Sequence, residues 1–108
     1  MATLAETASI ERFDGRRRLC CSPVILDVER RVLGVDYGST GYTTRAEADD
    51  LARPLRLGPG DRLADIGSGS GWPGLYLAQQ TGCSVVGTDL PFDGLRRARA
   101  RSRAGGLV

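Results

Sequence analysis

Apolar residues recur at helical spacing in two early stretches and form short strand-like runs later, with glycines and prolines between them. Val24, Ile25, Val28 and Val32 fall on one side of a helix whose wet side is Asp27, Glu29, Arg30 and Arg31. Ser22 precedes that helix as an N-cap, Pro23 fits its first position and Gly34 stops it. After a glycine-rich connection from Gly34 to Tyr42, Thr44 and Glu47 have the spacing of a capping box and predict a helix to about Arg53. Pro54 resists its continuation. Residues 1 to about 21 carry no sustained periodicity and hold the run Arg16, Arg17 and Arg18, which reads as a mobile or loosely docked arm.

The second half has a different rhythm. Leu57 to Asp61, with two glycines and a proline, is a turn. Arg62 to Ile66 is a short strand that runs into Gly67-Ser68-Gly69-Ser70-Gly71. Trp72 and Pro73 then open a helix through Leu75, Tyr76, Leu77 and Ala78 to a stop at Gly82. Cys83 to Thr88 is a second strand, Asp89 follows it, and Pro91 to Gly94 turn the chain into a last helix from about Leu95 to Ala104. Strand, glycine loop, helix, strand, acid and helix make a βαβα run, and such a run predicts a parallel sheet.

Composition narrows the chemistry. The 108 residues are 41% hydrophobic and 26% charged, as in a globular chain. They contain no histidine, which excludes a Ser-His-Asp triad, a histidine general base and a histidine metal site. Cys20, Cys21 and Cys83 have neither disulfide-framework nor zinc spacing, so free thiols and no metal are expected. Met1 to Ile10 show no basic region followed by an apolar core, and no stretch approaches the apolar length needed to span a bilayer, so a cytoplasmic setting is expected. The net charge of +2 is too small to point to nucleic acid. Arg96, Arg97, Arg99, Arg101 and Arg103 surround a stripe of Leu95, Ala98 and Ser102, which is the pattern of a sheet-covering helix with a solvated face. That stretch also lacks aromatics for base stacking. Trp72 and Cys83 read as packing residues.

A strand that hands over to a helix through glycines presents backbone N–H groups and the positive end of the helix dipole at one point. An acid at the end of the next parallel strand can accept hydrogen bonds from both hydroxyls of a ribose. Gly67 and Asp89 stand 22 residues apart, close to the spacing this arrangement requires.

The run Asp65-Ile66-Gly67-Ser68-Gly69-Ser70-Gly71, with Asp89 after the second strand, resembles the S-adenosylmethionine-binding half of class I (Rossmann-like) methyltransferases. Every fixed position of that family's acid-x-Gly-x-Gly-x-Gly pattern is met. The resemblance covers about Tyr42 to Val108 and implies a domain over residues 42–108, preceded by an N-terminal arm and helix over 1–41. It implies that Gly67 and Gly69 contact the methionine portion of S-adenosyl-L-methionine, that Asp65 stands near its amino group and that Gly71 completes the loop. It further implies that Asp89 binds the ribose hydroxyls, that Leu90 packs near the adenine and that Tyr42 closes over the methionine end. No catalytic side chain is assigned, because in-line methyl transfer needs alignment more than a protein nucleophile.

Two alternatives stay beside this one. Gly69 to Gly74 is a literal GxGxxG, the NAD(P)-type dinucleotide fingerprint, but counting from Gly67, the first glycine after the strand, puts Trp72 where the third glycine belongs. The other is a βαβ module that is non-catalytic, either a cofactor-binding regulator or free of nucleotide altogether. A doubly wound sheet of about six strands needs roughly 150 residues or more. The expected fold is therefore an α/β, Rossmann-like parallel sheet truncated after its second strand and helix, with Gly106-Leu107-Val108 beginning a third strand. Such a chain is expected to be marginally stable, inactive alone and prone to self-association through an unpaired sheet edge.

Overall fold

The computed structural model describes residues 1–106. In chain order the elements are α1 (Leu4–Cys20), α2 (Pro23–Val32), α3 (Arg45–Leu55), β1 (Arg62–Ile66), α4 (Gly74–Thr81), β2 (Ser84–Thr88) and α5 (Phe92–Ala104). β1 and β2 pair in parallel, with Arg62 opposite Ser84 and Ile66 opposite Thr88. The architecture among the described residues is thus α/β, a two-stranded parallel sheet with five helices, compatible with a truncated Rossmann-like fold. Leu107 and Val108, expected in a third strand, lie outside the described residues. No described helix is long and apolar enough to cross a membrane.

The largest departure from the sequence reading is at the start of the chain. The expected arm is a 17-residue helix, α1. Its apolar positions do not align on one side, which hid it from periodicity. A capping box starts it: Glu6 N–H donates to Thr3 Oγ1 at 3.2 Å, and Thr3 N–H donates to Glu6 Oε2 at 2.6 Å. The same device starts α3, where Glu47 N–H donates to Thr44 Oγ1 at 3.2 Å.

Two helix ends also move. α3 continues through Pro54 to Leu55, because a proline in the last turn sacrifices a single backbone bond, and Arg56 closes the helix in the left-handed region at φ 48°. α5 begins at Phe92, three residues before the expected Leu95. Asp93 sits in its first turn and accepts from Arg96 at 2.8 Å and Arg97 at 2.7 Å, ion pairs that support the earlier start.

The core joins the two halves of the chain. Ala48 of α3, Trp72 and Tyr76 of α4 are buried together, with Val35 and Tyr37 packed against them. Trp72 lies between Tyr37 and Tyr76, with ring centroids 5.1 Å and 5.2 Å away. Its Nε1–H donates to the Thr43 carbonyl at 2.8 Å, and the Tyr76 hydroxyl donates to Asp49 Oδ1 at 2.5 Å. Cys83 is buried at the entry to β2. The packing roles read for Trp72 and Cys83 are the ones they have.

The two faces of the sheet differ. Asp65 and Val85 point toward α4, since a β-carbon placed on Gly74 would lie 2.5 Å from Asp65 Oδ2 and 3.5 Å from Val85 Cγ1. On the opposite face Ile66 is 81% exposed and Val86 56% exposed. Apolar Ile66 and Val86 on the open face and the carboxylate of Asp65 on the covered one are why the strands alternate so weakly in sequence.

Candidate cofactor-binding site

The glycine loop hangs from the end of β2. Gly67 and Ser68 both donate their backbone N–H to the Thr88 carbonyl, at 2.7 Å and 3.0 Å, and Gly71 N–H returns to the Ser68 carbonyl at 2.9 Å. Gly67 (φ 73°) and Gly69 (φ 54°) are left-handed, a conformation that costs other residues about 1–2 kcal/mol. A β-carbon on Gly67 would meet nothing within 4 Å, so the loop is open there to a ligand. Gly71 is different, because a β-carbon there would press to 2.6 Å from Leu75 Cδ1 and leave α4 no room to approach.

Asp89 is brought to the loop. Its Oδ2 accepts from Gly69 N–H at 2.6 Å and its Oδ1 from Leu90 N–H at 2.8 Å. A carboxylate offers about four lone-pair sites, so both oxygens retain capacity for further donors. Asp65, one strand away, has Oδ2 buried without a hydrogen-bond partner. Burial pushes its carboxyl above the ordinary carboxylate range, and the charge of Asp89 pushes in the same direction. A cavity of about 610 Å³ between the sheet, α4 and α5 is lined in part by Asp65, Ser68, Gly71 and Leu95.

α1 crosses the same end of the sheet. Arg17 is 1% exposed, and its Nη1 would lie 3.5 Å from a β-carbon on Gly69. Ile10 and Asp14, two turns and one turn earlier, share a surface groove with Leu90, itself half exposed, and Phe92. Five buried side-chain atoms lack a partner among the described residues: Asp14 Oδ1, Arg17 Nε and Nη1, Asp65 Oδ2 and Ser68 Oγ. They lie in the loop, on the strand before it or on the helix across it. Buried polar groups are normally paired, so each of these atoms has capacity for a further partner.

The sequence-derived set is thus partly assembled. Asp65, Gly67, Gly69, Gly71, Asp89 and Leu90 surround one strand end. Tyr42 is not among them: it is 84% exposed and stands in the walls of two grooves that the loop does not line. Arg17 was not anticipated, because α1 was not, and the one signal for it is the Thr3 to Glu6 capping frame. The arginines of α5 also depart from a wholly solvated face. Arg101 lies over the Tyr37 ring, 4.0 Å from its centroid, and donates to the Asp36 carbonyl, while Arg97 donates to Asp93 and to the Cys21 Sγ.

Over 64 residues the chain is 39% identical to 24-methylenesterol C-methyltransferase 2 of Oryza sativa subsp. japonica, a match covering 59% of this chain and 18% of that protein. Its relatives are methyltransferases. Phosphoethanolamine N-methyltransferase 1 of Zea mays is 35% identical over 72 residues, 67% of this chain and 14% of that methyltransferase. A probable fatty acid methyltransferase of Pseudomonas putida is 38% identical over 60 residues, 56% of this chain and 15% of that one. The chain spans less than a fifth of the length of these methyltransferases. No family model matches it.

Proposed function

We propose that residues 42–108 are the cofactor-binding part of a class I (Rossmann-like) S-adenosylmethionine-dependent methyltransferase domain, with residues 1–41 folded across it. The observation that carries this reading is the hydrogen bond from Gly69 N–H to Asp89 Oδ2 at 2.6 Å, which joins the loop after β1 to the acid after β2. The similarity to methyltransferases supports it from an independent direction.

The residues present fit the cofactor. Its ribose hydroxyls are donors for the free lone pairs of Asp89, and its ammonium is a donor for Asp65 Oδ2, which is buried and unpaired. Gly67 leaves open space against which the methionine portion lies, and Leu90, half exposed beside Phe92, offers apolar surface to the adenine. Gly71 serves the site indirectly, by letting α4 close against the loop.

When bound, the cofactor would supply an electrophilic methyl group on its sulfonium. The chain's own residues would bind and orient the donor, and alignment of reacting groups is worth far more than a single side-chain contact. The charge of Asp65 and Asp89 favours a cationic ligand at the mouth of the loop. The three relatives are named for a sterol, phosphoethanolamine and a fatty acid as their own acceptors. For this chain no acceptor is assigned, and we propose that it binds cofactor without transferring methyl groups by itself.

Titration calorimetry with S-adenosylhomocysteine and with NAD tests the reading. Saturable binding of S-adenosylhomocysteine alone is expected. Preference for NAD would replace it with the dinucleotide reading, and binding of neither would leave a nucleotide-free βαβ module.

A further inference from the structure

Arg17 is the largest fully buried side chain described, and nothing above gives its charge a role. A guanidinium cannot lose its proton in a protein, so burying it without an anion is strongly unfavourable. Arg17 takes part in none of the ion pairs among the described residues, which are Arg30–Asp36, Arg31–Asp27, Arg53–Asp50, Arg96–Asp93 and Arg97–Asp93. The nearest loop carboxylate, Asp89, gives its oxygens to Gly69 and Leu90 instead.

The space around this cation is built for it. A β-carbon on Gly94, in the first turn of α5, would lie 2.8 Å from Arg17 Cζ and 2.8 Å from the Gly69 carbonyl oxygen. Gly94 must therefore lack a side chain for the guanidinium, arriving from α1, to pack between it and Gly69. The Nε and Nη1 of Arg17 have no partner there.

We propose that Arg17 is the partner of a ligand carboxylate, the α-carboxylate at the amino-acid end of S-adenosylmethionine or S-adenosylhomocysteine lying along Gly67 and Gly69. The proposal rests on the methyltransferase reading of the loop. It makes α1 a wall of the cofactor site and Arg17 the residue that distinguishes a nucleoside carrying an amino-acid tail from one without.

Calorimetry on the 108-residue chain with S-adenosylhomocysteine and with 5′-methylthioadenosine, which lacks the amino-acid end, tests it. Wild type binds S-adenosylhomocysteine more tightly; Arg17→Met weakens that ligand by about 10- to 100-fold, the worth of a charge-assisted pair, and leaves 5′-methylthioadenosine unchanged. Arg17→Lys keeps the charge and recovers part of the discrimination, and it carries the test if the Met variant does not fold. The ligand-free Arg17→Met chain melts no lower than wild type, because an unpaired buried charge has been removed. An equal loss for both ligands, or no change in their ratio, would overturn the proposal while leaving the cofactor reading intact. Failure of wild type to bind either ligand would overturn both.

Discussion

Replacing Ile66 by Lys perturbs the open face of the sheet and leaves the loop behind it alone. Ile66 is 81% exposed, so only about a fifth of its side chain is already withdrawn from water. Full burial of such a side chain stabilises by about 1.5–3 kcal/mol, so the monomer loses no more than about 0.6 kcal/mol on substitution. A partner chain covering Ile66 gains the remaining four-fifths, about 1.2–2.4 kcal/mol from each copy, and a lysine there adds the cost of removing a charge from water. Association of the wild-type chain through this face and the adjoining edge of β1, a strand that among the described residues pairs with β2 alone, is therefore expected, and Ile66→Lys should weaken it at least about tenfold with little change in unfolding midpoint. Sedimentation velocity over a concentration series, paired with urea denaturation, reads both quantities. A variant that sediments like wild type, or one that loses the roughly 2–5 kcal/mol typical of a core truncation, would refute the assignment of Ile66 to an open face.

Glu29 is buried and accepts from the backbone N–H groups of Tyr37, Gly38 and Ser39 at 3.2, 2.9 and 3.3 Å, which braces the loop that carries Tyr37 to Trp72. Glu29→Gln should lower stability by about 1–3 kcal/mol in urea denaturation, since it weakens charge-assisted bonds to buried donors; an unchanged midpoint would show the loop is held by other contacts. Asp65 titrates above its ordinary value when folded, so the folded chain binds that proton more tightly than the unfolded one, and stability falls as pH rises from the unfolded carboxylate value through the folded one. Asp65→Asn should therefore melt higher than wild type at neutral pH, by on the order of 1 kcal/mol or less given its partial exposure, and the advantage should vanish below about pH 4. A gain of the same size at both pH values would assign it to packing instead of charge.

Glycine and proline punctuation, with capping residues beside it, made most of the fold legible. β1 lies at Arg62–Ile66 as read, α4 stops at Gly82, and the boxed Thr44 starts α3, because in each case a local chemical rule and the tertiary contacts agree. α1 was missed because it follows no amphipathic stripe. It is held by its cap and by one buried arginine, a contact 52 residues away in sequence at Gly69 that no local pattern encodes. The site was legible to the same extent. Asp65, Gly67, Gly69 and Asp89 follow from the order of strand, loop and strand, whereas Tyr42 follows the path of the 34–42 loop, whose middle packs at Tyr37 against Trp72 while Tyr42 itself stands exposed in other grooves. Arg97 and Arg101 look solvated on a helical wheel because the wheel does not show Cys21 or Tyr37.

The central claim is that Asp89, held at the glycine loop, binds the ribose of an S-adenosyl cofactor. Calorimetric titration of S-adenosylhomocysteine into wild type and Asp89→Ala, with circular dichroism to show that both are folded, tests it most directly. The account predicts at least about a tenfold loss of affinity in the variant, the worth of one charge-assisted hydrogen bond. Equal affinity in the two folded chains would contradict it.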